Sequence, residues 1–238
     1  MLIQSVRLLA VAILTGCVAV TVCLDRARAA DADRFPMPDR PVASVISPAY
    51  SSEELRDRHG EAERVLDRLG IRRGMRVADI GAGEGYYTVR LARRLGEAAT
   101  IYAEDIDGEY LQRLESRLRR EGISHVHVIR GKPRDPELPR AAVDVAILAH
   151  MYHEIENPYE FLYHLRGSLN AGARVAVVDV DKRTENHGTP PALLRCEMAA
   201  VGFRQVDFTG LAPADGYLAV FVPPDALPSI STMRPCRQ

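Results

Sequence analysis

The stretch VADIGAGEGYYTVRLA, residues 77–92, constrains the fold more than any other part of the chain. An apolar run enters a turn with glycines at 81, 83 and 85, and a helical pattern leaves it. A strand that passes through a tight glycine turn into a helix presents bare backbone to a nucleotide. A dinucleotide fingerprint needs a glycine at the last place of G-x-G-x-x-G, and Tyr86 stands there. No Gly-Lys-Ser or Gly-Lys-Thr follows, so a phosphate-cradling Walker loop is absent. Asp79 lies just before the first glycine. An acid in that place suits a ligand with a cationic or amino group better than a pyrophosphate.

Downstream, apolar runs alternate with helical periods. Strands are predicted over 75–80, 100–104, 125–129, 143–149, 174–180, 203–208 and 217–222. Helices are predicted from Ser51 or Ser52 to about Leu69, then over 86–95, 107–120, 158–169 and 191–201. Tyr110, Leu111, Leu114 and Leu118 give the third of these its helical spacing, and Gly122 stops it. The turn Asn170-Ala171-Gly172 is expected to end the fourth. The pattern is α/β: a Rossmann-like, mostly parallel seven-stranded sheet with helices on both faces. The last two strands leave no room for a crossover helix, so they form an antiparallel C-terminal pair. Lys and Arg total 31 against 32 Asp and Glu, a balance without the basic bias of a nucleic-acid-binding surface.

The first residues read MLIQSVRLLAVAILTGCVAVTVCL, with Arg7 as their sole charged side chain. Ala27, Arg28 and Ala29 then fit the small-x-small pattern of a secretory cleavage site. Residues 1–29 therefore read as a signal peptide or N-terminal anchor, implying an exported, periplasmic protein or a membrane association through this segment. A lipoprotein box ending at Cys17 and an anchor facing the cytosol are the other options. Residues 30–50 read as a linker, 51–222 as the domain, and 223–238 as a loosely ordered proline-rich tail. Cys196 and Cys236 remain after processing and are available to pair in an oxidising compartment.

The segments VADIGAGEGYYT, IYAEDID, AAVDVAILAHMYHEIENPYEFLYHLRGSLNAGARVAVVDVD and AAVGFRQVDF together resemble the class I S-adenosylmethionine (SAM)-dependent methyltransferases. Ala171 and Ala173 replace the Pro and second Gly of the family's L-x-P-G-G-x-L stretch. The resemblance implies SAM as cofactor and methyl transfer as activity. It places Asp79, Gly81, Gly83 and Gly85 at the methionine end of the cofactor and Asp105, followed by Ile106, at the ribose hydroxyls. An acid beside the adenine is usual after the third strand. Lys132 stands at that place, leaving Asp135 as the substitute.

Chemistry on the acceptor side falls to LAHMYHEIENP, at the end of a central strand. His153 is the candidate general base, His150 lines the cofactor pocket, and Tyr86 and Tyr152 shape the acceptor side. HxxHE is not a zinc motif and spacing supplies no third ligand, so no metal is expected. The reading is a methyltransferase acting on a small-molecule acceptor, in an oligomeric state that the sequence leaves open. Its rivals are an exported, non-catalytic binding protein that keeps the fold, and a nicotinamide-dependent oxidoreductase, which the missing glycine disfavours.

Overall fold

The structure, a computed structural model, describes residues 34–45, 52–212 and 216–238. The leader, its alternative lipoprotein box and Cys23 lie outside the described residues. Among the described residues, no helix is long and apolar enough to cross a membrane.

Two short helices, α1 (Glu53–Arg58) and α2 (Glu61–Arg68), precede the sheet. They were expected as one helix. Ser52 does cap the first, accepting a hydrogen bond from the Leu55 amide. Gly60, however, adopts φ 62° and breaks the run before Glu61.

Next come β1 (Arg76–Ile80), α3 (Tyr86–Leu95), β2 (Thr100–Asp105), α4 (Gly108–Arg120), β3 (Val126–Arg130) and β4 (Val143–Ala149). The chain continues with α5 (Pro158–Ser168), β5 (Leu169–Asp179), α6 (Pro191–Ala200), β6 (Arg204–Gly210) and β7 (Tyr217–Val222). The seven strands form one sheet in the order β3-β2-β1-β4-β5-β7-β6. The first five run parallel, and β7 lies antiparallel to both β5 and β6. Asn170-Ala171-Gly172 was expected to end a helix. It instead lies inside β5, within the register shift between the Val143–Leu169 and Val145–Arg174 pairs.

Both faces of the sheet are covered, and the central strands are apolar at successive residues for that reason. Val77, Val145 and Ile147 face α2 and α3, whereas Ala78, Ala146 and Leu148 face α5 and α6. The strand order reverses between β1 and β4, which opens a crevice at their carboxyl ends.

The glycine turn stands at that crevice. Gly85 starts α3 at φ 91°, and a Cβ there would lie 2.4 Å from Leu114 Cδ1. Its lack of a side chain therefore serves the packing of α4 against the turn. Asp79 is also structural. Its carboxylate is buried and accepts the Thr88 hydroxyl proton at 2.6 Å, tying the end of β1 to α3.

Neither flank is loose. Residues 34–45, read as a linker, form a strap across the carboxyl end of the sheet. Arg40 is buried, with Nε 2.8 Å from Glu197 Oε1 and its other nitrogens near the carbonyls of Tyr152, His153 and Ile155. The Ala43 amide donates to His153 O. The proline-rich tail is packed as well, because Cys236 is disulfide-bonded to Cys196 in α6 and its amide donates to Tyr159 Oη.

Cross-linking two cysteines that are 40 residues apart restricts the unfolded chain, worth about 4 kcal/mol in the chain-entropy account. Cys236→Ser should lower the unfolding free energy by about 2–4 kcal/mol in urea titrations without reductant. Equal stability of the two proteins would show that the tail contributes nothing.

Burial raises the Asp79 carboxyl to about 6 from the ordinary 3.8, against the hydrogen bonds of Thr88. The folded protein thus holds this proton more tightly than the unfolded chain. The group's contribution is complete below about pH 4 and is lost as pH rises through 6, a change of about 3 kcal/mol. Asp79→Asn should gain stability relative to the wild type between pH 4.5 and pH 7 by about 2 kcal/mol of that change, measured from urea midpoints. A pH-independent difference would show that Asp79 ionises at its ordinary value.

Candidate functional site

A cavity of about 620 Å³ opens over the carboxyl ends of β1, β2, β4 and β5. One end is built from the glycine turn. Gly81 and Gly83 take φ 66° and 52°, and a Cβ on Gly83 would meet nothing within 4 Å, so backbone faces open space there. Asp105 is buried at the end of β2. One carboxylate oxygen accepts from the Gly83 amide and the other from the Asp107 amide, both at 2.8 Å. Each oxygen keeps a further acceptor site, so the carboxylate can still take two hydroxyl protons. Ile106 lines the same wall.

Beside Asp105 lies a residue that sequence reasoning passed over. Glu104 lines the cavity and is buried, and its Oε1 has no hydrogen-bond partner among the described residues. Burial and the neighbouring charge of Asp105 push its carboxyl well above the usual range. This shift favours the protonated form, which can donate a hydrogen bond.

The roof comes from α1 and α2. Glu61, at the start of α2, lies 3.2 Å from His150 Nε2 and 2.7 Å from Arg56 Nη2. Burial alone would raise the Glu61 carboxyl, but His150 and Arg56 outweigh it and hold it at about 2. Tyr86 lines the cavity with its ring between the guanidinium groups of Arg56 and Arg90, each 3.7 Å from its centroid. Its hydroxyl donates to Asp57. These contacts latch the helix pair onto the start of α3.

The other end of the cavity is formed by two short 3₁₀ turns, Tyr152–Glu154 after β4 and Thr184–Asn186 after β5. His153 is buried, with Nδ1 3.0 Å from Asp179 Oδ2, and lines the cavity with Glu154, Lys182 and His187. Asp179, the last residue of β5, is wholly buried and also accepts from the Thr189 hydroxyl at 2.7 Å and the Val180 amide. A carboxylate only accepts, so His153 donates from Nδ1, and in the neutral ring the lone pair is on Nε2. Gly188 brings the second turn close, because a Cβ there would fall 2.6 Å from Val180 O.

The structure thus brings Gly81, Gly83, Asp105, Ile106, Tyr86, His150 and His153 to one cavity. It places four of the other residues named from sequence elsewhere. Asp79 and Gly85 lie beneath the turn, in the packing of α3. Tyr152 is fully buried beneath Arg40, outside the cavity lining, so it has no surface to offer an acceptor. Asp135 accepts from the Glu137 amide, lies 3.6 Å from His164 and stands outside the cavity lining. Asp179 and His187 were not found from sequence, because only the pairing of β4 with β5 brings them to His153. For Glu104, the signal was an acid inside an apolar strand.

Residues 77–172 match the family model described as Methyltransferase domain. A ubiquinone/menaquinone biosynthesis C-methyltransferase of Idiomarina loihiensis is 27% identical over 118 residues, 49% of this chain and 47% of that protein. An uncharacterised methyltransferase of Mycobacterium bovis is 33% identical over 102 residues, 43% of this chain and 49% of the relative. The chain spans about half the length of the curated relatives it matches. The crystal structure of a SAM-dependent methyltransferase from Aquifex aeolicus superposes with a TM-score of 0.63 at 23% identity, covering 68% of this chain and 88% of that one. The glycine turn, the acid ending β2 and the strand order agree with that match: residues 77–172 lie in a methyltransferase-like domain with the fold of the SAM-dependent methyltransferases.

Proposed function

We propose that this protein transfers the methyl group of SAM to a small-molecule acceptor held at the His153 end of the cavity. The observation that carries the reading is Asp105, fixed by two backbone amides at the switch point of the sheet, within the matched domain. The residues present fit the cofactor. The Gly83 backbone leaves room for close approach, Asp105 has acceptor capacity for a ribose diol, and the cavity is of small-ligand size. Glu61 and Asp105 supply negative charge suited to a sulfonium.

SAM supplies a methyl group already activated by that charge, so this chain's task is alignment and control of the acceptor's proton. His153 is the residue we assign to the acceptor's reacting atom. Asp179 holds its ring in one tautomer, and the strap and the two 3₁₀ turns restrict water around it. A small-molecule acceptor agrees with relatives named for ubiquinone/menaquinone biosynthesis, and with the roof formed by α1 and α2.

Calorimetric titration of the full chain with SAM and with S-adenosylhomocysteine tests this reading. Saturable binding of one equivalent is expected, and Asp105→Ala should weaken it by roughly 10- to 100-fold, the cost of losing charge-assisted hydrogen bonds. No binding to the wild type would overturn the proposal. Binding without turnover on any acceptor would favour a non-catalytic binding protein.

We propose further that residues 1–29 direct export or anchor the domain outside the cytosol. The leader's composition supports this, as does the pairing of Cys196 with Cys236, which an oxidising compartment maintains. A reporter that works only outside the cytosol, fused after Gln238, should be active. Activity solely from a cytosolic reporter would sink the idea.

A further inference from the structure

The two turns at the acceptor end hold more than one histidine. His153 and Glu154 come from the turn after β4, and His187 directly follows the turn after β5. One donor atom from each of the three lies within 4.8 Å of the others. The His153 and His187 rings meet edge to face, with centroids 5.6 Å apart. Spacing along the chain gave HxxHE no third ligand; the pairing of β4 with β5 supplies one.

We propose that His153, Glu154 and His187 form a binding site for a divalent transition metal, best matched by zinc, at the acceptor end of the cavity. The proposal rests on the reading above only in what the metal would act on.

Three observations support the site. The first is the donor set. Two imidazoles and one carboxylate suit zinc or a similar first-row ion, whereas magnesium and calcium prefer all-oxygen shells. The second is the support behind it. His153 Nδ1 is bonded to Asp179, which leaves Nε2 as the atom that can bind a metal, and a carboxylate behind a ligating histidine is the usual orienting partner. Asp179 also accepts from Thr189, close after His187, so one buried carboxylate holds both tracts. The third is the backbone of His187, at φ 54°, a conformation that few non-glycine residues adopt and that the neighbouring Gly188 contact maintains.

Zinc ligands about 2.0–2.1 Å from the ion at tetrahedral angles lie about 3.4 Å apart, so side-chain rotation must draw these atoms together by about 1 Å. Three protein ligands leave a fourth position, and all three residues line the cavity. That position suits an acceptor oxygen, whose proton a bound metal makes easier to remove. In the metal-loaded protein the His153 lone pair is committed to the ion, and the bound acceptor oxygen loses its proton to solvent water instead of to a histidine base.

The test uses the full chain, stripped with a chelator, and titrated calorimetrically with zinc chloride. Cobalt(II) follows in parallel by its visible absorption. One saturable equivalent is expected. His187→Asn, a replacement that tolerates the same backbone conformation, should weaken zinc binding at least about 10-fold, as should His153→Ala. Asp179→Asn should weaken it roughly 10- to 100-fold through the orienting bond alone. SAM titration of the same samples checks that each variant is folded. Zinc binding of equal strength in wild type and a folded His187→Asn protein would overturn the site, as would no saturable zinc binding by the wild type. Zinc binding without SAM binding would leave the site standing and remove the methyltransferase reading. SAM binding without zinc binding would do the reverse.

Discussion

A buried carboxylate needs partners that replace its lost hydration, and in this protein that requirement organises the His153 end of the cavity. Asp179 ends β5 with no exposed surface. Its partners come from three places: His153 after β4, Thr189 beyond the second 3₁₀ turn, and the amide of Val180. Leaving any one unmade would strand a charge where water does not reach, at a cost of several kcal/mol. The three tracts are therefore held in one arrangement. Tyr217 adds a further tie, donating from its hydroxyl to Thr189 O. Through Asp179 the rigid centre of the sheet sets where His153 sits and which of its nitrogens faces the cavity.

The two ends of the cavity are made by different physics. At the cofactor end the parts are local: a strand, a turn with positive φ at its glycines, and a carboxylate that braces the turn through Gly83. At the His153 end they are distant in sequence. Arg40, Glu197 and Tyr152 meet beneath the first turn, and the second is held by Pro41 and Gln238 through the Thr184 hydroxyl. This difference explains what could be read from the sequence. Strands and helices were legible because burial on both faces imposes nearly continuous apolar runs on β1, β4 and β7, and a single face imposes helical periods on α3 and α4. The turn and Asp105 were legible because their spacing is short. His187 and Asp179 were not, since the register of β4 against β5 has no local signature. The break at Gly60 was missed for a related reason. The apolar period survives across it, and only the left-handed backbone reveals the bend.

Composition misled most at the flanks. Proline and polar residues in 34–45 and 223–238 suggested loose chain, but hydrogen bonding there does not depend on regular elements. Arg40 takes its partners from carbonyls that a 3₁₀ turn leaves open, and the ion pair with Glu197 lets a charged residue lie in the interior. The tail is held by a covalent bond to α6 and by the Tyr159 hydroxyl.

Strap and tail cross the same end of the sheet, and this gives their attachment a consequence for the site. Gln238 reaches Thr184 and Glu185 only because Cys236, just before it, is fixed to α6. Thr184 opens the turn whose cap is His187. The position of His187 thus depends on contacts at both flanks of the chain, whereas the glycine turn and Asp105 depend on neither. Changes in strap or tail should therefore alter the His153 end of the cavity while leaving the glycine turn and Asp105 intact. A fold shared with distant relatives can in this way keep one cofactor and vary the second partner.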